Sequence, residues 1–260
     1  MQTKLEEIIS KTKQVLASRK QKVTLDVLKK SISKLKSRSF INAIRNPKLG
    51  TIAIIGEVKF ASPTESYLGS SDSLNMRIEQ YESAGIDAIS IVTEKHFFHG
   101  DPIFVVQIKN VTSVPVLEKD FIVDEYQLYE AAKSGADAVL LIAKLLSKEK
   151  LSLFVEIAKT LDIEPVVEIN DELDLKKANA TTTRIIAVNA RDLHSFIVDV
   201  DRACQLILKI PDRYIKLGFS GISSRIEVEK YKQAGASGVL IGTSLMKAKK
   251  ISDYIEGVRI

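Results

Sequence analysis

The chain has a single cysteine, Cys204, so no disulfide can form within it. That thiol sits in the apolar stretch Ala203-Cys204-Gln205-Leu206-Ile207 and reads as helix packing rather than as a nucleophile. One free thiol suits a reducing cytoplasm, which is the expected compartment. No apolar run approaches ~18 residues, so no membrane-spanning helix is expected, and the first residues lack the continuous apolar core of a signal peptide. Only three histidines occur, His96, His99 and His194, and no pair has metal-ligand spacing with a third partner. Neither a dinucleotide glycine fingerprint nor a Walker phosphate loop is present. The expectation is therefore no metal and no cofactor.

What is present is an ordinary globular balance over 260 residues, 45% hydrophobic and 27% charged. A chain of this length buries roughly three quarters of its unfolded surface and needs no staple. The formal charge of +5 is concentrated in the first forty-odd residues, where lysines interleave with apolar residues at helical spacing. That pattern describes a solvated helix face rather than a nucleic-acid stripe, and the mild surplus suits a small anionic substrate.

After residue 50, short β-branched runs alternate with amphipathic stretches of helical period. The runs cover 53–58, 88–92, 114–117, 138–142, 164–168, 185–189, 214–219 and 238–241. They are nearly all apolar without strict alternation, as buried parallel strands are. Eight such units predict a (β/α)8 TIM barrel over 51–260; an open doubly wound sheet is the alternative. A weak repeat, Gly85-Ile86-Asp87-Ala88, Gly135-Ala136-Asp137-Ala138 and Gly235-Ala236-Ser237-Gly238, ends a helix on glycine and turns into a strand each time. Residues 1–50 stand apart as an N-terminal helical extension of the same structural domain. Leu5, Ile8, Ile9 and Leu16, then Leu25, Leu28, Ile32 and Leu35, mark two helices that could close the barrel below or lean over its mouth.

Chemistry in such a barrel sits at the C-terminal strand ends. There the runs give way to Glu57-Val58-Lys59, Glu118-Lys119-Asp120, Glu168, Asn189-Ala190-Arg191 and Ser220-Gly221. Glu57 and Lys59 share a face, and Lys119 and Glu168 follow on further odd-numbered runs that feed the same inner layers. Two lysines and two glutamates in one cup are the equipment of general acid–base catalysis. Gly221 after the seventh run, Gly242-Thr243 after the eighth, and Ser62 after the first predict a phosphate seat of backbone amides and hydroxyls.

At these residues the chain resembles the indole-3-glycerol-phosphate synthases. Ile55-Gly56-Glu57-Val58-Lys59-Phe60-Ala61-Ser62-Pro63, Leu117-Glu118-Lys119-Asp120-Phe121, Val167-Glu168-Ile169-Asn170, Asn189-Ala190-Arg191-Asp192-Leu193 and Ser220-Gly221-Ile222-Ser223 follow the family's motifs in order. The resemblance implies decarboxylating ring closure of 1-(2-carboxyphenylamino)-1-deoxyribulose 5-phosphate in tryptophan biosynthesis, without a cofactor. It implies Lys119 as general acid, Glu168 as its acid/base partner, and Glu57 with Lys59 at the reacting centre. Asn189 and Arg191 would orient substrate, Ser220 would contact it, and Phe121 with Leu140 would wall the ring. Phosphate would lie on Ser62, Gly221, Gly242 and Thr243. No partner enzyme of the pathway is identified.

The chain departs from the family at Phe219, where a glutamate is usual, and at Phe60, Ala190 and Thr64-Glu65-Ser66. Phe219 removes a carboxylate from the barrel mouth. It supports a second reading, a diverged or engineered barrel that uses the Lys119 amine for other chemistry or merely binds a phosphorylated ligand.

Overall fold

The computed structural model describes residues 3–33 and 37–260. Eight parallel strands close on themselves in sequence order, β1 to β8, so the open-sheet alternative falls. They are β1 Ala53–Val58, β2 Ala88–Val92, β3 Val116–Lys119, β4 Ala138–Ile142, β5 Glu164–Ile169, β6 Ile185–Asn189, β7 Ile215–Phe219 and β8 Gly238–Ile241. The third strand starts two residues later than its apolar run, because Pro115 has no N–H to give a ladder. Lys119 is in consequence the last residue of a strand, held by the sheet rather than by a loop.

The helices are α1 Lys4–Lys22, α2 Leu25–Lys30, α3 Phe40–Arg45, α4 Leu74–Ser83, α5 Ile103–Val111, α6 Glu125–Ser134, α7 Lys148–Thr160, α8 Glu172–Asn179, α9 Val200–Leu208, α10 Arg225–Gln233, α11 Thr243–Lys247 and α12 Ile251–Val258. Side chains of Asp124, Ser147, Asp171, Asp199 and Ser224 each accept a first-turn amide, which fixes where five of these helices begin. The three repeat glycines all take the left-handed conformation, with φ of 76° at Gly85, 81° at Gly135 and 95° at Gly235.

Strand alternation sorts the core into two shells. Ile54, Val58, Val139, Leu141, Val167, Val188 and Val239 face outward into the helix layer. Ala53, Ile55, Leu117, Leu140, Val166, Ala187, Leu217 and Phe219 fill the barrel interior.

The extension has three described helices rather than two, the third opened by the Ser39 cap on Asn42 N–H. Leu35 lies outside the described residues. Both anticipated placements occur at once. Phe40 and Ile44 of α3 pack with Ala53 and Ala88 at the strand starts and plug the barrel from below. Leu5 and Ile8 of α1 reach the opposite end and line the cavity at the mouth. The repeat's aspartates make the lower junction. Asp87 accepts the amides of Lys48 at 2.6 Å and Ile54 at 2.8 Å. Asp137 accepts those of Arg38 at 2.7 Å and Val116 at 2.8 Å, and pairs with Lys109 at 2.6 Å. Each carboxylate thus ties the extension to the entrance of a strand.

Candidate active site

The mouth of the barrel holds a cavity of about 370 Å³. Glu57, Lys119, Glu168 and Phe219, the uppermost inward residues of β1, β3, β5 and β7, all line it. The odd strands therefore contribute one layer of two acids, one base and one aromatic ring. Lys59 joins from one residue beyond β1, and Asn189 from the end of β6.

The two acids are held differently. Glu57 is buried, and burial alone would raise its carboxyl. Lys59, at 2.6 Å from Oε1, and Lys119, at 3.8 Å from Oε2, with Arg191 further off, hold it below the usual range. Glu168 is also buried, and here burial wins: its carboxyl is raised despite Lys119 and an amide hydrogen bond from Asn189 Nδ2 to Oε1 at 3.1 Å. Its Oε2 is buried without a partner. Two carboxyls pushed in opposite directions in one cup are the usual mark of divided acid and base duties.

Two residues not singled out from the sequence set up Asn189. Asn170 donates its side-chain amide to the carbonyls of Asn189 at 3.0 Å and Arg191 at 2.9 Å. Arg202, from α9, donates to the carbonyls of Asn170, Asn189 and Ala190. A guanidinium with five donors in a fixed fork can bridge several carbonyls, and this one clamps the ends of β5 and β6 together. Only a helix-spaced arginine marked it in the sequence. Arg191 itself lines the cavity but donates to the Phe196 carbonyl at 2.9 Å, so its head is braced by its own loop.

At the seventh and eighth loops, Ser220 and Gly221 have successive φ values of 70° and 77°. Both residues are left-handed and line the cavity, so the chain turns sharply off β7 and brings its backbone to the cavity wall. A Cβ on Gly221 would meet Val198 Cγ1 at 2.8 Å, so only glycine fits. Gly242 precedes α11, and a Cβ there would overlap Glu57 Oε1 and stand 3.0 Å from Lys59 Nζ. Its bareness serves the acid–base pair as much as any anion. Thr243 also lines the cavity. Ser62 lines it too, but its hydroxyl accepts Glu65 N–H at 3.1 Å within its own turn.

One anticipated wall residue is misplaced. Leu140 is fully buried in the barrel interior and does not reach the cavity; Ile142, two residues on and one layer higher on the same face, does. Phe121 lines the cavity and tilts against Phe98, ring centroids 6.0 Å apart. Leu5, Ile8, Phe98 and Phe219 complete an apolar wall that the sequence did not single out as such. The histidines are all exposed. Among the described residues no three His, Cys, Asp or Glu are placed to hold a metal ion, and no helix is long and apolar enough to cross a membrane.

Comparison with known proteins places this cup in a family. The sequence profile described as "Indole-3-glycerol phosphate synthase" matches residues 5–258. Proteins of that name from Acetivibrio thermocellus and Aliarcobacter butzleri are 37% and 39% identical over 254 residues, covering 96% of this chain and 97% and 96% of theirs. That of Caldanaerobacter subterraneus subsp. tengcongensis is 38% identical, covering 98% of each chain. Among solved structures, a 3-hexulose-6-phosphate synthase superposes with TM-score 0.65 at 13% identity, over 80% of this chain and 98% of that one. A chain of the Pyrococcus furiosus tryptophan synthase complex superposes with TM-score 0.60 at 17%, over 81% and 99%. At those identities the structures speak for the fold alone. The sequence relatives say more, and the chain belongs to the indole-3-glycerol-phosphate synthase family.

Proposed function

We propose that this chain converts 1-(2-carboxyphenylamino)-1-deoxyribulose 5-phosphate to indole-3-glycerol phosphate, carbon dioxide and water. The observation that carries this is the convergence of Lys119, Glu168 and the Glu57–Lys59 pair on one cavity, beside the left-handed turn at Ser220-Gly221.

In the first step the ring carbon that bears the carboxylate attacks the ribulose ketone. Lys119 gives its proton to the developing alkoxide, and carbon dioxide leaves with its bonding electrons returned to the ring. The new hydroxyl then departs as water with a second proton, given by Lys59, while Glu168 takes the proton from the adjacent carbon to complete the indole. Glu57, kept ionised, holds Lys59 and Lys119 at the reacting centre. Asn189 fixes the Glu168 carboxyl, and Arg191 with Ser220 orients substrate. The phosphate rests on Gly221, Gly242, Thr243 and Ser62, and the aromatic ring lies on Phe121 and Ile142. Closing the cup under Leu5 and Ile8 strengthens every charge interaction inside it.

Three cations, Lys59, Lys119 and Arg191, face two carboxylates, Glu57 and Glu168, so the lining carries a net positive charge. That suits a substrate with both a carboxylate and a phosphate. Phe219 preserves this surplus, since a glutamate there would cancel it. A barrel diverted to other chemistry is not favoured, because the relatives align along nearly the whole chain under one name. Residues 1–50 form one domain with the barrel at 51–260, and a reducing cytoplasm is the compartment that the lone Cys204 suits. Adding the substrate and following indole fluorescence tests the activity directly; no signal from folded protein refutes it.

A further inference from the structure

Lys119 is gripped from behind. Its side chain enters the cavity, so its neighbours Glu118 and Asp120 point to the other side of the sheet, under α1 and α6. There Thr93, the first residue after β2, touches all three. Its N–H donates to the Lys119 carbonyl at 3.1 Å. Its Oγ1 lies 3.2 Å from Glu118 Oε1 and 3.2 Å from Asp120 Oδ2. A hydroxyl has one hydrogen and can donate to only one of two carboxylates. The other contact is repulsive unless that carboxyl carries a proton and donates in turn.

We propose that Glu118, Thr93 and Asp120 share a single proton, in the order Glu118 to Thr93 to Asp120, and form a positioning element for Lys119. The inference rests on the role proposed for Lys119. The direction of the chain follows from the surroundings. Glu118 is 5% exposed and its Oε2 has no partner, whereas Asp120 Oδ1 accepts Phe121 N–H at 2.7 Å. The charged groups packed around the pair are Arg19 from α1, Glu130 from α6 and Glu94 from the loop after β2. Arg19 is engaged by Glu130 at 3.1 Å, and Glu94 by the amides of His96, Phe97 and Phe98. Among the described residues neither carboxylate forms an ion pair: Arg19 lowers both from a distance but does not offset their burial. Burial, then Asp120 beside it, pushes the Glu118 carboxyl up to about 8; burial, with Glu94 nearby, pushes that of Asp120 to about 6. Proton loss would set two carboxylates against one hydroxyl, at the point where Thr93 holds the Lys119 backbone.

Infrared spectroscopy of the whole protein near neutral pH is the first test. A buried protonated carboxyl band is expected in the wild type and not in Glu118→Gln. Thermal melting is the second. The native Glu118 carboxyl lies above its unfolded value, so its contribution is full below the ordinary carboxylate range and is lost as pH rises to about 8. The melting-temperature gap between Glu118→Gln and wild type should widen over that window and stay constant above it. In turnover, the alkaline limb of kcat should lie at higher pH in Glu118→Gln than in wild type. Thr93→Val should lower kcat about tenfold with little change in KM, and Thr93→Ser should restore it. If Glu118→Gln does not fold, Asp120→Asn replaces it, and its band should then shift rather than vanish. No protonated band in the wild type, or a gap that does not change with pH, overturns the shared proton whether or not the protein turns over substrate. Full kcat in Thr93→Val overturns the positioning role.

Discussion

Asn189 donates its amide to one oxygen of Glu168 at 3.1 Å and leaves the other without a partner. The bond favours the charged carboxyl, against a burial that raises it. Removing the amide in Asn189→Leu therefore drives the carboxyl further up. If Glu168 acts as a base, the acid limb of the kcat–pH profile moves to higher pH in the variant. A limb that stays in place, or moves down, would show that Glu168 is not the group titrating there.

Lys119 sits at the end of a strand, 3.8 Å from Glu57. Lys119→Ala is expected to cut kcat at least about a hundredfold, the low end for a positioned acid, with the barrel still folded. Stopped indole fluorescence at saturating substrate measures it. Turnover near the wild-type level would refute the assignment.

Gly242 leaves room for the Glu57–Lys59 pair, and a Cβ there would overlap Glu57 Oε1. Gly242→Ala must push that carboxylate aside. A displacement approaching an ångström costs up to about a hundredfold, so kcat/KM should fall by about ten- to a hundredfold while the circular dichroism spectrum is kept. An unaffected kcat/KM would mean that the pair can move without consequence.

Phe219 is 1% exposed and completes the odd-strand layer with Glu57, Lys119 and Glu168. Phe219→Glu brings the lining to three cations against three carboxylates. One unit charge at ~10 Å in an effective dielectric of ~20 is worth about 1.7 kcal/mol, so KM for the phosphorylated substrate should rise about tenfold. Steady-state kinetics decide it; an unchanged or lower KM would show that the ring has no electrostatic role.

Asp137 is buried below the barrel with Lys109 on its carboxylate. Asp137→Ala strands that ammonium and two backbone amides, those of Arg38 and Val116, and should cost about 3–5 kcal/mol in urea denaturation. Activity per folded molecule should persist, since the cavity is at the other end. A loss below about 1 kcal/mol would mean that the lower junction does not hold the extension.

The barrel was legible because its signals are local. Eight apolar runs, separated by helix-period stretches and closed by glycine at 85, 135 and 235, need only backbone sterics and side-chain alternation to be read. The same alternation put Glu57 with Lys59 and aligned Lys119 with Glu168, because residue parity on a parallel strand survives folding. Parity does not give height, so it points equally to Leu140 and Ile142, and only Ile142 stands in the wall. Nor does a sequence show which distant backbone a side chain will reach. Arg202 on three carbonyls, Thr93 on Lys119, and Asp87 and Asp137 under the extension join residues that only closure of the barrel brings within hydrogen-bond distance. Composition and period determined the fold and the inventory of the cup. Which acid is kept ionised and which is raised was decided by tertiary structure, because that depends on burial and on the charges across the cavity, and neither exists in the unfolded chain.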